Sequence, residues 1–285
     1  MTRKSLFHFA LVGLLWGIPY LLMKVAVEDF PPAAVVAGRT LIGASILIPI
    51  AIYRKKFGGA VLGFKYVAFY ALMEMIGPWI LITTAEQKIN SGLAGLLVST
   101  VPIFATIITS LRGDHTVWQF KRIFGIVVGF VGLILVVGIE SLSGNSDLLS
   151  IAMVIVASMG YAYAVIMVTS NLPLVDGIAI NGLAMAITSV FWAPVAIAQW
   201  PSSISMNSAL SLIALGVFST ALAFILFFKV MAEIGPARSS LVTYLNTAIA
   251  VLLGVIILRE PLTVGIIVGL PLVLVGSYLA SRKTA

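Results

Sequence analysis

The chain is a succession of apolar runs, each about as long as a bilayer's hydrocarbon core is thick and each closed by charged or turn-forming residues. A helix needs about 20 apolar residues to cross roughly 30 Å of hydrocarbon. Runs of that length lie at Leu6 to Val27, Pro32 to Tyr53, Phe64 to Thr84, Ser91 to Leu111 and Ile123 to Ile139. Five more follow at Leu148 to Val168, Gly177 to Gln199, Ala209 to Met231, Pro236 to Leu258 and Leu262 to Ala280. The pattern predicts an all-α membrane protein with ten transmembrane helices. A water-soluble alternative fails on composition, because a 285-residue chain with 61% hydrophobic and 9% charged residues cannot bury its apolar surface in one soluble domain. Arg3 and Lys4 precede a first run that is longer than a signal-peptide core and lacks a small-x-small cleavage site, so it reads as a retained span.

The absence of cysteine removes disulfides, thiolate catalysis and cysteine metal sites. His8, near the amino end, and His115, in a loop beside Asp114, are too isolated for a histidine metal site and read as solvated or interfacial. No Gly-x4-Gly-Lys-Ser/Thr loop, His-Glu-x-x-His helix or Gly-x-Ser-x-Gly elbow is present, so neither an ATP engine nor an intramembrane enzyme has residues to run on. No cofactor is expected. The formal charge of +7 is carried between the apolar runs, where it orients a membrane protein rather than binding nucleic acid. Arg54, Lys55, Lys56, Lys65, Arg112, Lys121 and Arg122 fall on the same side as Arg3 and Lys4, against Lys24, Lys88 and Arg259 on the other. The positive-inside rule then places both termini in the cytoplasm.

The two sets of five runs look related. Gly125 and Gly132 recur 144 residues later as Gly269 and Gly276, while Leu111-Arg112 and Thr116 recur 147 residues later as Leu258-Arg259 and Thr263. Because five is odd, a second copy enters the membrane from the opposite side, which gives an inverted repeat with halves at 1–143 and 144–285. The competing reading is that glycines seven apart only let helices pack closely.

Glu74 is the one acidic residue inside any of the runs, and Arg39 the one base well inside. A charge at such depth costs about 3 to more than 10 kcal/mol, so each needs a cavity, a proton or a partner. Two readings stand open: a structural Glu74–Arg39 ion pair, or a functional site in which Glu74 binds a coupling proton or a cationic group of a substrate. Arg39 could instead hold a carboxylate. Glu74 is followed by Gly77-Pro78, and a proline there cannot donate to the Glu74 carbonyl, so a kink with a free carbonyl is expected beside the carboxyl group. Lys24 lies within a turn of the interface and is expected to snorkel.

Leu14-Leu15-Trp16-Gly17-Ile18-Pro19-Tyr20, then Lys24, Pro32 and Arg39, resembles the opening of the EamA-type members of the drug/metabolite transporter superfamily. Ser91-Gly92-Leu93-Ala94 with Leu96-Leu97 and Pro102 is similar to the family's fourth span. Ile234-Gly235-Pro236-Ala237, Tyr244-Leu245 and Leu258-Arg259-Glu260-Pro261-Leu262 are similar to the matching part of its second half. Thr247, where many relatives have proline, and Arg259, where they often have glycine, depart from the pattern. The resemblance implies ten helices in two inverted five-helix repeats, a central cavity lined by both halves, and alternating access. It further implies movement of small organic solutes, often outward, across a bacterial cytoplasmic membrane.

Within that frame the candidate substrate-binding residues are Trp16, Tyr20, Glu74, Trp79, Thr100, Tyr161, Tyr244 and Asn246, with Glu74 and Arg39 as the coupling or ion-pair group. Trp16 and Tyr20, four apart, share a helix face and present either a wall for aromatic or cationic solutes or ordinary packing. Ser99 and Thr100 precede Pro102 and can satisfy freed backbone or a substrate. Tyr161 follows Gly160, which aligns with Gly17 after Trp16 at an offset of 143 residues, and Asn246 is an amide in need of partners. The expected activity is secondary export of amino acids, amines or related compounds, with a proton as candidate coupling ion; a facilitative channel or uniporter is the alternative. A single copy in the bilayer suffices, and a dimer is compatible.

Overall fold

A computed structural model describes residues 3–113, 119–142, 147–234, 239 and 241–281. Every regular element among them is helical. The chain opens with α1 (Arg3–Ala26), α2 (Pro32–Tyr53) and a short α3 (Phe57–Leu62). Next, α4 (Phe64–Ala71), a π-helical segment π1 (Leu72–Ile76) and α5 (Gly77–Ala85) run on as one rod. A broken rod follows, α6 (Ser91–Val98) and α7 (Val101–Leu111), then α8 (Phe120–Leu142), α9 (Leu148–Asn171) and α10 (Gly177–Ala198). The last rods are α11 (Met206–Ala214), π2 (Leu215–Leu222) and α12 (Ala223–Ile234), then α13 (Val242–Ile256) and α14 (Val264–Ser281). Among the described residues seven rods are long and apolar enough to span a membrane: Arg3–Ala26, Pro32–Tyr53, Phe64–Ala85, Ser91–Leu111, Leu148–Asn171, Gly177–Ala198 and Met206–Ile234. Asp114, His115, Thr116 and the Gly235-Pro236-Ala237 stretch lie outside the described residues.

Local chemistry accounts for where the rods begin. Pro31 and Pro32 pre-set the first turn of α2, where a missing N–H costs nothing. Asp147 accepts from the Ser150 N–H at 3.0 Å at the head of α9, and Asp176 from Ile178 and Ala179 at 3.0 and 3.1 Å at the head of α10. Helix α6 is capped from a distance. Glu260, in the connection before α14, accepts from the Ser91 N–H and hydroxyl at 2.8 Å each and from the Gly92 N–H at 3.3 Å. Its negative charge also meets the positive end of the α6 dipole.

Each long helix packs mainly against partners distant in sequence: α2 on α10, α8 on α14, α6 on α13, α1 on α13, and α5 on α9. Glycines set the closest crossing. A side chain at Gly276 would land on the backbone of Gly129, and one at Gly132 on the backbone nitrogen of Val273. The repeated glycines of α8 and α14 therefore do face one another, as small residues do where membrane helices approach closely. Outward, large apolar side chains such as Leu41, Ile134, Val190, Leu252 and Val275 are exposed on different helices, a surface suited to lipid rather than water.

Two expectations are corrected at the helix ends. His8 is buried, with Nδ1 3.6 Å from Glu233 Oε1 on α12, because α1 packs against α12 along its amino-terminal half. Lys24 does not snorkel. Its ammonium donates to the carbonyls of Glu86 at 2.6 Å and Ile89 at 2.8 Å, which binds α1 to the turn between α5 and α6.

Candidate functional site

Glu74 sits at the centre of π1, and the change of helix type there follows from Pro78. Proline cannot donate to the Glu74 carbonyl, and the ladder shifts to the wider register, in which the Gly77 N–H meets the Leu72 carbonyl. The Ile76 carbonyl at the end of π1 accepts from the indole N–H of Trp192 on α10, at 3.1 Å. Gly160 of α9 lies against the Met73 carbonyl, 2.8 Å from where a side chain would start, so α9 meets the widened turn backbone to backbone. The expected kink is thus a π-helical turn. Glu74 is half-buried, and its Oε2 is enclosed without a hydrogen-bond partner.

Arg39 is buried on α2, which packs on π2. Nε and Nη2 donate to the Thr220 hydroxyl of π2 at 3.3 and 3.1 Å, Nη1 contacts the Met23 sulfur at 3.5 Å, and the guanidinium lies 4.0 Å above the Trp79 ring. Among the described residues no carboxylate pairs with it, so the Glu74–Arg39 ion pair is not formed. The geometric reason is direction: α2 turns Arg39 toward π2 and Trp79, whereas Glu74 belongs to π1. A cation–π contact and one hydroxyl offset part of the desolvation of a guanidinium and leave its charge uncompensated. Ser219, beside Thr220 in π2, has a buried hydroxyl without a partner. Each π segment therefore carries one unsatisfied polar atom.

Both charges act on Tyr161. It lies within electrostatic range of Glu74, Arg39 and Tyr20, beside Trp79, and packs against both large apolar clusters of the bundle. Tyr20 is buried over Gly95 of α6. Tyr70, one turn before Glu74, donates its hydroxyl to Asn181 Oδ1 at 3.1 Å, and the Asn181 amide donates to the Gly177 carbonyl at 2.9 Å. The structure thus gathers Tyr20, Trp79 and Tyr161 around Arg39, sets Glu74 within range of Tyr161 and Tyr70, and adds Asn181, Trp192 and Thr220.

The remaining candidates lie elsewhere. Trp16 packs against Phe224 and Phe227 of α12, ring centres 5.6 and 4.6 Å away. Thr100 is buried and returns its hydroxyl to the Leu97 carbonyl at 2.6 Å, as Ser99 does to Leu96. Tyr244 stacks edge-on with Tyr278 at 6.3 Å, and Asn246 accepts from the Thr247 hydroxyl at 3.3 Å.

Trp192 offers a test of the π turn. Trp192→Phe keeps most of the ring but leaves the Ile76 carbonyl without its donor, at a cost of about 1–3 kcal/mol. The expected result is a lower melting temperature in detergent; a melting temperature equal to wild type would mean that the indole N–H does not support π1.

A multi-rod helical bundle with a lipid-facing surface and unpaired charges inside is a polytopic membrane protein. The model of the EamA-like transporter family matches residues 3–138 and again 148–282, and the chain belongs to that family. Among its relatives, the uncharacterized transporter YoaV of Bacillus subtilis is 27% identical over 94% of this chain and 93% of its own. The uncharacterized inner membrane transporter YedA of Escherichia coli K12 is 26% identical over 95% and 90%, and protein PagO of Salmonella typhimurium 27% over 85% and 81%. A solved crystal structure has the same fold at a TM-score of 0.67 and 15% identity, covering 98% of this chain and 97% of that one.

Proposed function

We propose that this transporter exports small organic metabolites bearing an ammonium group, a carboxylate or both, amino acids and amines among them, by alternating access. The observation that carries the reading is the pair Arg39 and Glu74: opposite charges, sequestered in the bundle, neither neutralised by the other, with Tyr161 in range of both. A substrate carboxylate on Arg39 and an ammonium on Glu74 would supply the compensation that each lacks.

The proposed architecture is ten helices in two inverted repeats, 1–143 and 144–285. Its support is that exchanging the halves maps the packing onto itself. The α2–α10, α8–α14 and α6–α13 contacts pair each helix with its counterpart, and α1 on α13 answers α9 on α6 and α7. The π segments, Leu72–Ile76 and Leu215–Leu222, also fall at corresponding places. Paired discontinuities of this kind are where transporters of inverted topology bind solutes. A bacterial cytoplasmic membrane with both termini inside agrees with the distribution of bases, and the membrane itself with the naming of the YedA relative as an inner membrane transporter.

The test is thermal stabilisation of the purified protein by amino acids, amines, nucleosides and sugars, for wild type and Glu74→Gln. A ligand at 100 times its Kd stabilises a folded protein by about 2.7 kcal/mol. An amine-bearing ligand should raise the wild-type melting temperature and leave the variant's unchanged. Equal stabilisation of both would remove Glu74 from the site, and a protein that answers only to sugars or uncharged nucleosides would overturn the substrate class.

A further inference from the structure

The second enclosed carboxyl group is Glu86, one residue beyond α5 at the end of the bundle expected to face outward. Its side chain is fully buried, and neither oxygen has a hydrogen-bond partner. It borders a cavity of about 230 Å³ together with Lys24, Val27, Glu28 and Gln87. The nearest cation does not neutralise it, because Lys24 directs its ammonium to the Glu86 and Ile89 carbonyls.

The groups that face Glu86 come from three elements. From α1 and its end come Tyr20, Lys24 and Glu28; from the connection before α14 comes Glu260, engaged with Ser91 and Gly92; and within its own turn lies Gln87. Lys88 points away, with Nζ 3.7 Å from Asp147. An ionised carboxylate without a donor or counter-ion is a poor occupant of such a place, whereas a protonated acid fits it. Burial is the main cause that holds the Glu86 carboxyl well above the usual glutamate range; Lys24 opposes it and Glu260 adds to it.

We propose that Glu86 is a proton-binding site at the mouth of the transporter, occupied while its carboxyl group is enclosed as seen here and emptied when that group is exposed to the cavity beside it. The proposal rests on the transporter reading above and gives the coupling proton a place separate from Glu74. The balance is simple. With the side chain enclosed, one carboxyl oxygen of Glu86 holds the proton. On opening, cavity water takes the proton, and the carboxylate left behind draws the Lys24 ammonium from the Ile89 carbonyl. That carbonyl belongs to the turn leading into α6, so losing the proton loosens the strap between α1 and α6.

The sign of the pH effect follows. A carboxyl group with a raised folded pKa binds more protons folded than unfolded once pH exceeds the ordinary glutamate value, about 4.3. Stability of the closed form therefore falls as pH rises through that window, and Glu86→Gln should remove the slope. The experiment is melting temperature against pH for wild type, Glu86→Gln and Lys24→Met in detergent, with the carbonyl stretch of protonated carboxylic acids followed by infrared titration. We expect Glu86→Gln to lose one protonated-acid band and the pH slope, and Lys24→Met, which keeps the acid and removes the opposing cation, to shift both to higher pH. An unchanged band and slope in Glu86→Gln overturns the proposal. Should that variant not fold, an unmoved titration in Lys24→Met overturns it equally. Neither readout needs a substrate, so a panel without ligands sinks the substrate reading and leaves this one standing. With a ligand in hand, Glu86→Gln should keep exchange across the membrane at constant pH and lose accumulation driven by a pH gradient; loss of both would make Glu86 a structural group and end the proposal.

Discussion

Replacing Arg39 with methionine is expected to abolish binding of carboxylate-bearing solutes while leaving the empty protein as stable as before, or more so. The two effects have separate origins. In the empty protein the guanidinium gains about 2 kcal/mol from the Trp79 face and about 1.5–3 kcal/mol from the Thr220 hydroxyl. Against these stands the desolvation of a buried ion, several kcal/mol, with no carboxylate to offset it. The sum is near zero or unfavourable, and methionine fills the same channel beside Met23 and Trp79 without the charge. With a substrate bound, the loss has one sign. Truncating one partner of a buried charge pair costs about 2–5 kcal/mol, and at about 1.4 kcal/mol per tenfold the affinity should fall by at least about 30-fold. Arg39→Lys should recover little, because an ammonium neither stacks on Trp79 nor offers a two-pronged donor. Melting temperatures with and without ligand decide the matter. A variant that melts far below wild type and binds carboxylates undiminished would make Arg39 a structural cation.

What could be read from the sequence, and what could not, divides along the range of the interactions. Helix starts at Pro32, Leu148 and Gly177 were legible because prolines and the aspartates at 147 and 176 act within one turn. The freed backbone ahead of Pro102 and the disturbance ahead of Pro78 were legible for the same reason. That the disturbance is a π turn was not, since proline removes a donor without dictating how the ladder closes. The segment π2 has no proline at all and left no trace. The added site residues are the long-range ones: Tyr70 meets Asn181, Trp192 meets Ile76 and Arg39 meets Thr220 across separations of 111, 116 and 181 residues. A helix apolar on all sides offers no polar face from which to infer such partners. Glu86 shows the same blindness from the other direction. At the end of an apolar run it reads as a solvated loop charge, and only the folded arrangement of α1, α5 and the connection before α14 encloses it.

Gly276→Leu is expected to have the largest effect on folding itself. Helices α8 and α14 meet at glycines, and the first side-chain atom at 276 would fall on the Gly129 backbone and 2.7 Å from the Gly125 carbonyl. A flexible side chain can yield to such an intrusion, but main chain can yield only if one helix moves. Between lipid-facing helices no hydrophobic force restores the contact once it is lost, because the lipid is as apolar as the interface. The next residue extends the damage. Ser277 donates its hydroxyl to the Ser99 carbonyl at 2.8 Å, and Ser99 lies in the break between α6 and α7, where the chain supplies no helical donor for it. Displacing α14 withdraws that donor. Overpacking costs about 1–3 kcal/mol, sometimes more, and a stranded buried carbonyl about 1–3 kcal/mol, so the variant should melt well below wild type and accumulate poorly in the membrane. Gly276→Ala should err in the same direction by less, since the obstacle is already met at the first carbon. Gly58→Ala, where a side chain meets nothing within 4 Å, serves as the control and should be neutral or slightly stabilising. If Gly276→Leu melts with wild type, the spacing of α8 and α14 is free to adjust, and the Ser277–Ser99 bond cannot be what holds the broken rod in place.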